Sequence, residues 1–399
     1  MSPWLAIIGI GEDGRDGLTP AAAARLAQAE CVVGGARHLK LAAPLPMRAL
    51  PWPSPIDAAL PEIDALRGRA VAVLASGDPF FFGVGSLLAR RFSPDEIIAF
   101  PAPSAFTLAA ARLGWGLQDV ACVSLHGRPL EAIIPHLQPR AKILALSWDG
   151  RTPKLLGDLL AKRGFGGSRV TALEAMGGPH ERRIAFAARE APSPPFADLN
   201  TLALDVEAED GAFVIPRAPG LPDALFENDG QITKRAVRAI TLSALAPRRG
   251  ELLWDIGAGS GSVGIEWMLA DAANRAIALE RDAERATRIR RNALNLGVPA
   301  LVVDHADAAE AMTRLPPPDA IFIGGGGPTL FAPAFAALKP GGRLVVNAVT
   351  LQTQAALIQA RARWAGELTQ IAIAEAEPVG RFDGWRAAMP VVQWRTTKR

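Results

Sequence analysis

The stretch ELLWDIGAGSGSVGIEWMLA, residues 251–270, holds the densest grouping of residue types that could do chemistry: Asp255, Gly257, Gly259 and Gly261. Leu252 to Ile256 is a short apolar run bounded by turn formers, which suits a buried parallel strand, and Val263 to Leu269 is apolar on a helical period. A strand, a glycine turn and a helix in that order bring backbone close to a nucleotide, with amides at the helix N-terminus facing it. The pattern by itself admits NAD, ATP or S-adenosylmethionine. Glu280 closes the next strand, AIALE, at the spacing where a carboxylate accepts both ribose hydroxyls. NAD enzymes and methyltransferases both use such an acid. Asp255 is what separates them: a carboxylate at the strand end suits an ammonium or sulfonium, and carries an electrostatic cost beside a pyrophosphate.

The string GxGxxG occurs at Gly9 to Gly14 and again at Gly259 to Gly264, so each copy must be tested as a dinucleotide fingerprint. In the first, the following helix opens only at Thr19–Pro20, which leaves a pyrophosphate no helix N-terminus to sit on. In the second the register is shifted, and Ser262 breaks the fingerprint counted from Gly257. The fourth strand of the second half ends in IFIGGGGP instead of the Asn/Asp-Pro-Pro-Tyr that orients an amino group in nucleobase and glutamine methyltransferases. That argues against a nucleic-acid amino-methyltransferase and leaves room for a bulky substrate over Gly324 to Gly327.

The elements that must hold these residues alternate between strand-like and helix-like segments. WLAIIGIG, CVVGG, AVAVLAS, EIIAFPAP and KILALSW read as buried strands with helices between them, the pattern of a mostly parallel sheet. A second such series runs ELLWDIG, RAIALERD, ALVVDHAD, DAIFIGGGG, GRLVVNAV and MPVVQW. Between them lies EAEDGAFVIPRAPGLPDALFEND, rich in Pro, Gly and acids. The expectation is two α/β domains, 1–208 and 226–399, joined by a linker at 209–225. A length of 399 residues with 49% hydrophobic content supplies two cores. The net charge of +3, with no basic block, does not suit a nucleic-acid-coating protein. No apolar run reaches the ~20 residues of a membrane span, and MSPWLAIIGIGEDG leads straight into a strand, so neither membrane nor export is expected. The two cysteines, Cys31 and Cys122, read as buried reduced thiols of a cytoplasmic protein. Five histidines show no metal-ligand spacing, and without any tyrosine no phenol can serve as acid or base. No metal is expected.

With Asp255-x-Gly-x-Gly-x-Gly261, Glu280 and DHADAAEAM in place, the second half resembles the class I S-adenosylmethionine-dependent methyltransferases. The resemblance implies that Gly257, Gly259 and Gly261 cradle the methionine moiety, that Glu280 holds the ribose, and that Asp307 lies beside the adenine amino group, with Ala308 also among the cofactor-binding residues. In the first half, IIGIGEDGRDGLTPAAAARLAQAECVVGG, LASGDPFFFGVG, PAPSAFTLAAARLG and VSLHGR resemble the tetrapyrrole methylase superfamily, whose fold is two α/β subdomains with a cleft between them. That resemblance implies a cofactor folded against Gly9, Gly11, Gly77, Asp78, Phe81, Ser104 and Ala105. The segment FENDGQITKRAVRAITLSAL resembles the entry segment of the corrin-pathway C15-methyltransferases and adds Thr233 to the cofactor residues. Together the halves resemble the decarboxylating C5,15-methyltransferases that act on precorrins. Implied are one S-adenosylmethionine site per domain, C5 methylation by the first domain, and C15 methylation with loss of the C12 acetate as CO2 by the second. A homo-oligomer is also implied.

Such chemistry makes modest demands on side chains. An electron-rich meso carbon is its own nucleophile and the conjugated ring its own electron sink, so the enzyme mainly positions and dries the substrate. Basic donors for the ring's carboxylates are expected, with Arg37, His38, His126, Arg128, Lys234, Arg235 and Arg238 as candidates. His126, Arg128, Lys234 and Arg238 are also the catalytic candidates, His126 as an acid or base for the C5 step or a hydrogen-bonded loop residue. Metal-free and cobalt-containing substrates both remain open, as does a methyltransferase of a non-tetrapyrrole substrate.

Overall fold

A computed structural model describes residues 3–193 and 195–399. It divides into two compact units, Met1–Leu130 with His136–Val214, and Ile215–Arg399 with Glu131–Pro135.

The first unit contains two sheets. β1 (Leu5–Ile10), β2 (Cys31–Gly34), β3 (Arg48–Pro51), β4 (Val71–Ser76) and β5 (Ile97–Phe100) form an all-parallel sheet in the order β3-β2-β4-β1-β5. β1 is buried along its whole length because cores lie on both faces: Leu5 and Ile7 join one, Ala6, Ile8 and Ile10 the other. The first connecting helix, Pro20–Ala27, starts where its sequence dictates, with the Thr19 hydroxyl accepting the Ala22 N–H at 3.3 Å. β6 (Val120–Ser124), β7 (Lys142–Leu146), β8 (Arg169–Glu174), β9 (Arg182–Ala187) and β10 (Asn200–Asp205) form the second sheet, ordered β6-β7-β10-β8-β9. Here the expected parallel pattern fails. Only β6 and β7 run parallel, and the other pairings are antiparallel. KILALSW is a buried strand as expected but belongs to this second sheet; an apolar run reports burial and says nothing about the direction of its neighbour.

In the second unit, β11 (Leu252–Ile256), β12 (Arg275–Leu279), β13 (Val302–Asp304), β14 (Ala320–Ile323), β15 (Arg343–Ala348), β16 (Glu367–Ile371) and β19 (Val391–Thr397) form one sheet in the order β13-β12-β11-β14-β15-β19-β16. It is parallel as far as β15, and β19 then enters antiparallel. Between β16 and β19 the chain leaves as a separate two-stranded ribbon, β17 (Ala374–Val379) and β18 (Phe382–Ala387), exposed along both strands apart from Gly384. The order reverses at β11, the position where open α/β sheets bind ligands beyond their strand ends.

The segment 209–225, linker-like in composition, is partly built into the second unit. Glu266, buried in the helix Ser262–Ala270, accepts the N–H groups of Gly220 at 2.6 Å and Leu221 at 2.9 Å. Ile215, Leu221 and Phe226 are buried.

Candidate functional site

In the first unit the loops after β4, β1 and β5, three adjacent strands, meet at glycines. A Cβ on Gly9 would stand 1.9 Å from the Gly77 carbonyl oxygen, and one on Gly77 would stand 2.7 Å from the Pro103 oxygen. Backbone bonds tie the loops together, with the Gly77 N–H on the Ile10 carbonyl and the Ala102 N–H on the Gly77 carbonyl, both 3.2 Å. Gly11 adjoins them, with the Asp13 carboxylate curled against it. Asp78 makes a local turn, its Oδ1 accepting the Phe80 N–H at 2.9 Å. Ser104 is buried and caps the helix Ala105–Leu113 through the Thr107 N–H at 3.1 Å. Each of these polar residues thus has a local structural bond.

The loop then displays aromatics. Phe80, Phe81 and Phe82 are 45%, 39% and 46% exposed, which is unusual for three consecutive phenylalanines. Phe81 leans on buried Phe106 with ring centroids 4.9 Å apart, and Phe82 takes a φ of 57°, a left-handed backbone strained for an aromatic residue. The Arg128 guanidinium lies 6.0 Å from the Phe82 ring centroid. Its loop is held by the Trp148 indole, which donates to the Arg128 carbonyl at 2.8 Å. His126, on the same loop, is exposed.

Arg37 and His38, expected as basic donors, meet a residue the sequence did not single out, Ser76. Ser76, the last residue of β4 and neighbour to Gly77, places its hydroxyl 2.8 Å from His38 Nε2 and 2.9 Å from Arg37 Nη2. Arg37 is ion-paired to Glu12. Burial, then the Arg37 charge, push the His38 imidazole down to about 4, so it is neutral at physiological pH. Beside it opens a cavity of about 570 Å³ lined by Glu12, Arg15, Arg37 and Lys40 among others. The strand end before Gly-Asp-Pro was the available signal; what it lacked was the partner helix, 38 residues earlier.

In the second unit Gly257, Gly259 and Gly261 have φ of 68°, 60° and 76°, a left-handed path that a side chain would strain. A Cβ on Gly257 would come within 2.9 Å of the Gly325 backbone, so the loops after β11 and β14 touch directly. Asp255 lies beneath, 1% exposed, with Oδ2 accepting the Gly264 N–H at 2.9 Å and Oδ1 without a partner. Burial pushes its carboxyl up to about 7, against the Gly264 amide and with the Glu280 charge adding to the rise. Glu280, 5% exposed, accepts the Gly259 N–H at 2.9 Å and the Asp282 N–H at 3.0 Å, which ties β12 to the glycine loop. The buried Ser260 hydroxyl is also unpartnered. A backbone cradle closed to any Cβ, above orphaned buried oxygens, fits a nucleoside carrying a cationic amino acid. Asp307 caps the helix Ala308–Ala311 through the Ala309 N–H at 2.8 Å, one strand away from Glu280.

The entry-segment candidates separate. Thr233 is only partly exposed, and its carbonyl accepts from Arg238. Lys234 is exposed, with Nζ 4.0 Å from Asp223. Arg238 is fully buried: Nε donates to Glu266 at 2.5 Å, Nη1 to Asp223 at 3.0 Å, and the remaining donors reach the Thr233 and Leu221 carbonyls. Its guanidinium also packs 4.8 Å from the Phe226 ring centroid. Arg238 therefore fastens the segment 221–233 and, being fully buried, is not available to a substrate.

Among the described residues no group of histidine, cysteine and acidic side chains is placed to hold a metal, and no helix is long and apolar enough to cross a membrane. The chain matches the Tetrapyrrole (Corrin/Porphyrin) Methylases over residues 5–192 and the Precorrin methyltransferase domain over 224–398. It is 55% identical over 401 residues, all of this chain and 97% of the relative, to a Sinorhizobium precorrin-6Y C5,15-methyltransferase [decarboxylating]. Shorter relatives cover less. A Pyrobaculum calidifontis "Probable cobalt-precorrin-6B C(15)-methyltransferase (decarboxylating)" is 36% identical over 43% of this chain and 93% of its own length. A Salmonella typhimurium cobalt-precorrin-7 C5-methyltransferase is 31% identical over 45% of this chain and 88% of its own.

Proposed function

The chain belongs to the precorrin-6Y C5,15-methyltransferases (decarboxylating), S-adenosylmethionine-dependent enzymes of cobalamin biosynthesis, and from that membership we propose how its two units divide the work. The first unit methylates C5 of a precorrin; the second, roughly 226–399, methylates C15 and removes the C12 acetate as CO2. Each holds its own S-adenosylmethionine. The observation that carries this division is a pair of separate glycine-lined cradles, at Gly9 and Gly77 in one unit and at Gly257 to Gly261 in the other. Relatives with one activity apiece, each matching under half the chain, support it. The substrate is read as metal-free, since the full-length relative is named for precorrin-6Y.

S-adenosylmethionine supplies an electrophilic methyl group on its sulfonium. The macrocycle supplies the attacking meso carbon, which releases its proton as the new C–C bond forms and so recovers conjugation. The chain's residues orient and desolvate. Phe81 and Phe82 present half-exposed ring faces suited to a flat macrocycle, and Arg128 above Phe82 offers a donor to a peripheral carboxylate. In the second unit the free Oδ1 of Asp255 can neutralise an ammonium, Glu280 keeps lone pairs for ribose hydroxyls, and exposed Lys234 can meet a substrate carboxylate.

The second unit also brings copies of the chain together. On the ribbon, Trp385 is 80% exposed and shares a face with Ala374, Ala376 and Ala387, while Phe382 and Val379 stand exposed at its tip. A two-stranded ribbon is marginal alone in water. Its mixed charges, Glu375 and Glu377 against Arg386, suit a second copy of itself.

The test is mass spectrometry of the tetrapyrrole after incubation with S-adenosylmethionine and metal-free precorrin-6B. Two methyl groups gained and one CO2 lost are expected. Gly259→Val should lose C15 methylation and decarboxylation together while C5 methylation of a suitable intermediate continues; C15 activity in a folded Gly259→Val chain overturns the division. Turnover of the cobalt counterpart alone overturns the metal-free substrate.

A further inference from the structure

The helix Ala283–Asn295 places Arg285, Arg288, Arg291 and Asn292 along one side. That side grips the segment 226–234. Arg291 donates twice to Glu227 Oε2, from Nε at 2.9 Å and Nη2 at 2.7 Å. Arg285 Nε donates to Asp229 Oδ2 at 2.8 Å, and Arg288 Nη1 stands 3.2 Å from the same oxygen. These pairs are partly exposed, and isolated surface pairs contribute little. Two further features, the first of them buried, set them apart. Asn292, 1% exposed, accepts the Glu227 N–H and donates to both the Glu227 and the Ser260 carbonyls, each at 2.9 Å, which stitches the segment to the glycine loop. Asp229 Oδ1 meanwhile accepts the Gln231 N–H at 3.1 Å, and the Gln231 carbonyl lies against the loop, 2.8 Å from where a Cβ of Gly259 would be.

We propose that Glu227 and Asp229 are positioning residues for the cofactor of the second unit: latched to the arginine side of this helix, they hold 226–234 as a strap across the glycine loop and set how fast the cofactor leaves. The Glu227 and Asp229 carboxylates are taken up by Arg291, Arg285 and Arg288, so their effect on the cofactor is through closure of the strap. The inference rests on the reading of Gly257 to Gly261 as a cofactor cradle.

The full-length chain is titrated with S-adenosylhomocysteine while hydrogen exchange of the peptide spanning Gly257–Gly264 reports binding in this unit alone. Asp229→Ala should raise Kd about tenfold, the scale of two partly exposed charge contacts, chiefly through faster release. Asp229→Glu should recover most of the loss. Salt should weaken binding by the unsubstituted chain and act less on Asp229→Ala. Glu227→Arg and Arg291→Glu should each weaken binding, and the two together should restore it to within about twofold. In turnover, KM for S-adenosylmethionine in the C15 step should rise with kcat held. An unchanged Kd in Asp229→Ala, or an exchanged pair no better than its single variants, overturns the latch. Failure of S-adenosylhomocysteine to protect Gly257–Gly264 in the unsubstituted chain overturns the cradle itself.

Discussion

Replacing Asp255 by asparagine should remove most of the second unit's pH dependence of stability between pH 4 and 7. The carboxyl is 1% exposed, receives one amide hydrogen bond, and has its pKa raised by burial from 3.8 to about 7. An acid raised in this way is protonated in the folded chain while the unfolded chain has already released its proton. Stability is therefore full below about pH 4 and declines as the pH rises towards 7. The distance between the two values corresponds to about 4 kcal/mol, and structural relaxation reduces it to about 2–4 kcal/mol. Asparagine can keep the Gly264 bond and never ionises. At pH 8 Asp255→Asn should thus be the more stable chain, by that amount less about 1–2 kcal/mol for its buried unpaired amide. Cofactor binding should run the other way, because the variant has no charge to offer an ammonium. The assay is urea denaturation of the full-length chain from pH 5 to 8, read through hydrogen exchange of the peptide covering Leu252–Ile256, alongside S-adenosylhomocysteine affinity. Parallel stability curves for the two chains across that range would refute the reasoning.

Arg238→Met should destabilise the second unit by about 3–5 kcal/mol, since Glu266 would stay buried without its cation, whereas Lys234→Ala should stay within about 0.5 kcal/mol; thermal unfolding of both variants decides. Trp385→Ser with Phe382→Ser should lower the apparent mass in sedimentation and leave S-adenosylhomocysteine binding unchanged; an unchanged mass would remove the ribbon from the interface.

What was readable in advance follows from the range of the forces involved. Alternating apolar and glycine-rich runs marked β1, β4, β5 and β11 through β15, because strand burial is written in local composition. The Thr19–Pro20 helix start and the glycine loop at 257–261 were likewise local, each a matter of φ and a few neighbouring amides. The antiparallel second sheet was not legible: β8, β9 and β10 pair by register across tens of residues, and no single strand carries its partner's direction. Arg238 shows the same limit at one side chain. As sequence it is a basic residue in an entry segment; in the structure it is enclosed by Glu266, Asp223 and two carbonyls. The Ser76–His38 contact, the rise at Asp255 and the latch of Glu227 and Asp229 on the helix Ala283–Asn295 also join residues far apart in the chain. By itself the sequence determined which residues can turn, cap, line a strand or carry charge. Tertiary packing decided which of those charges are enclosed and which remain available, because desolvation and ion pairing depend on distances that only the folded chain sets.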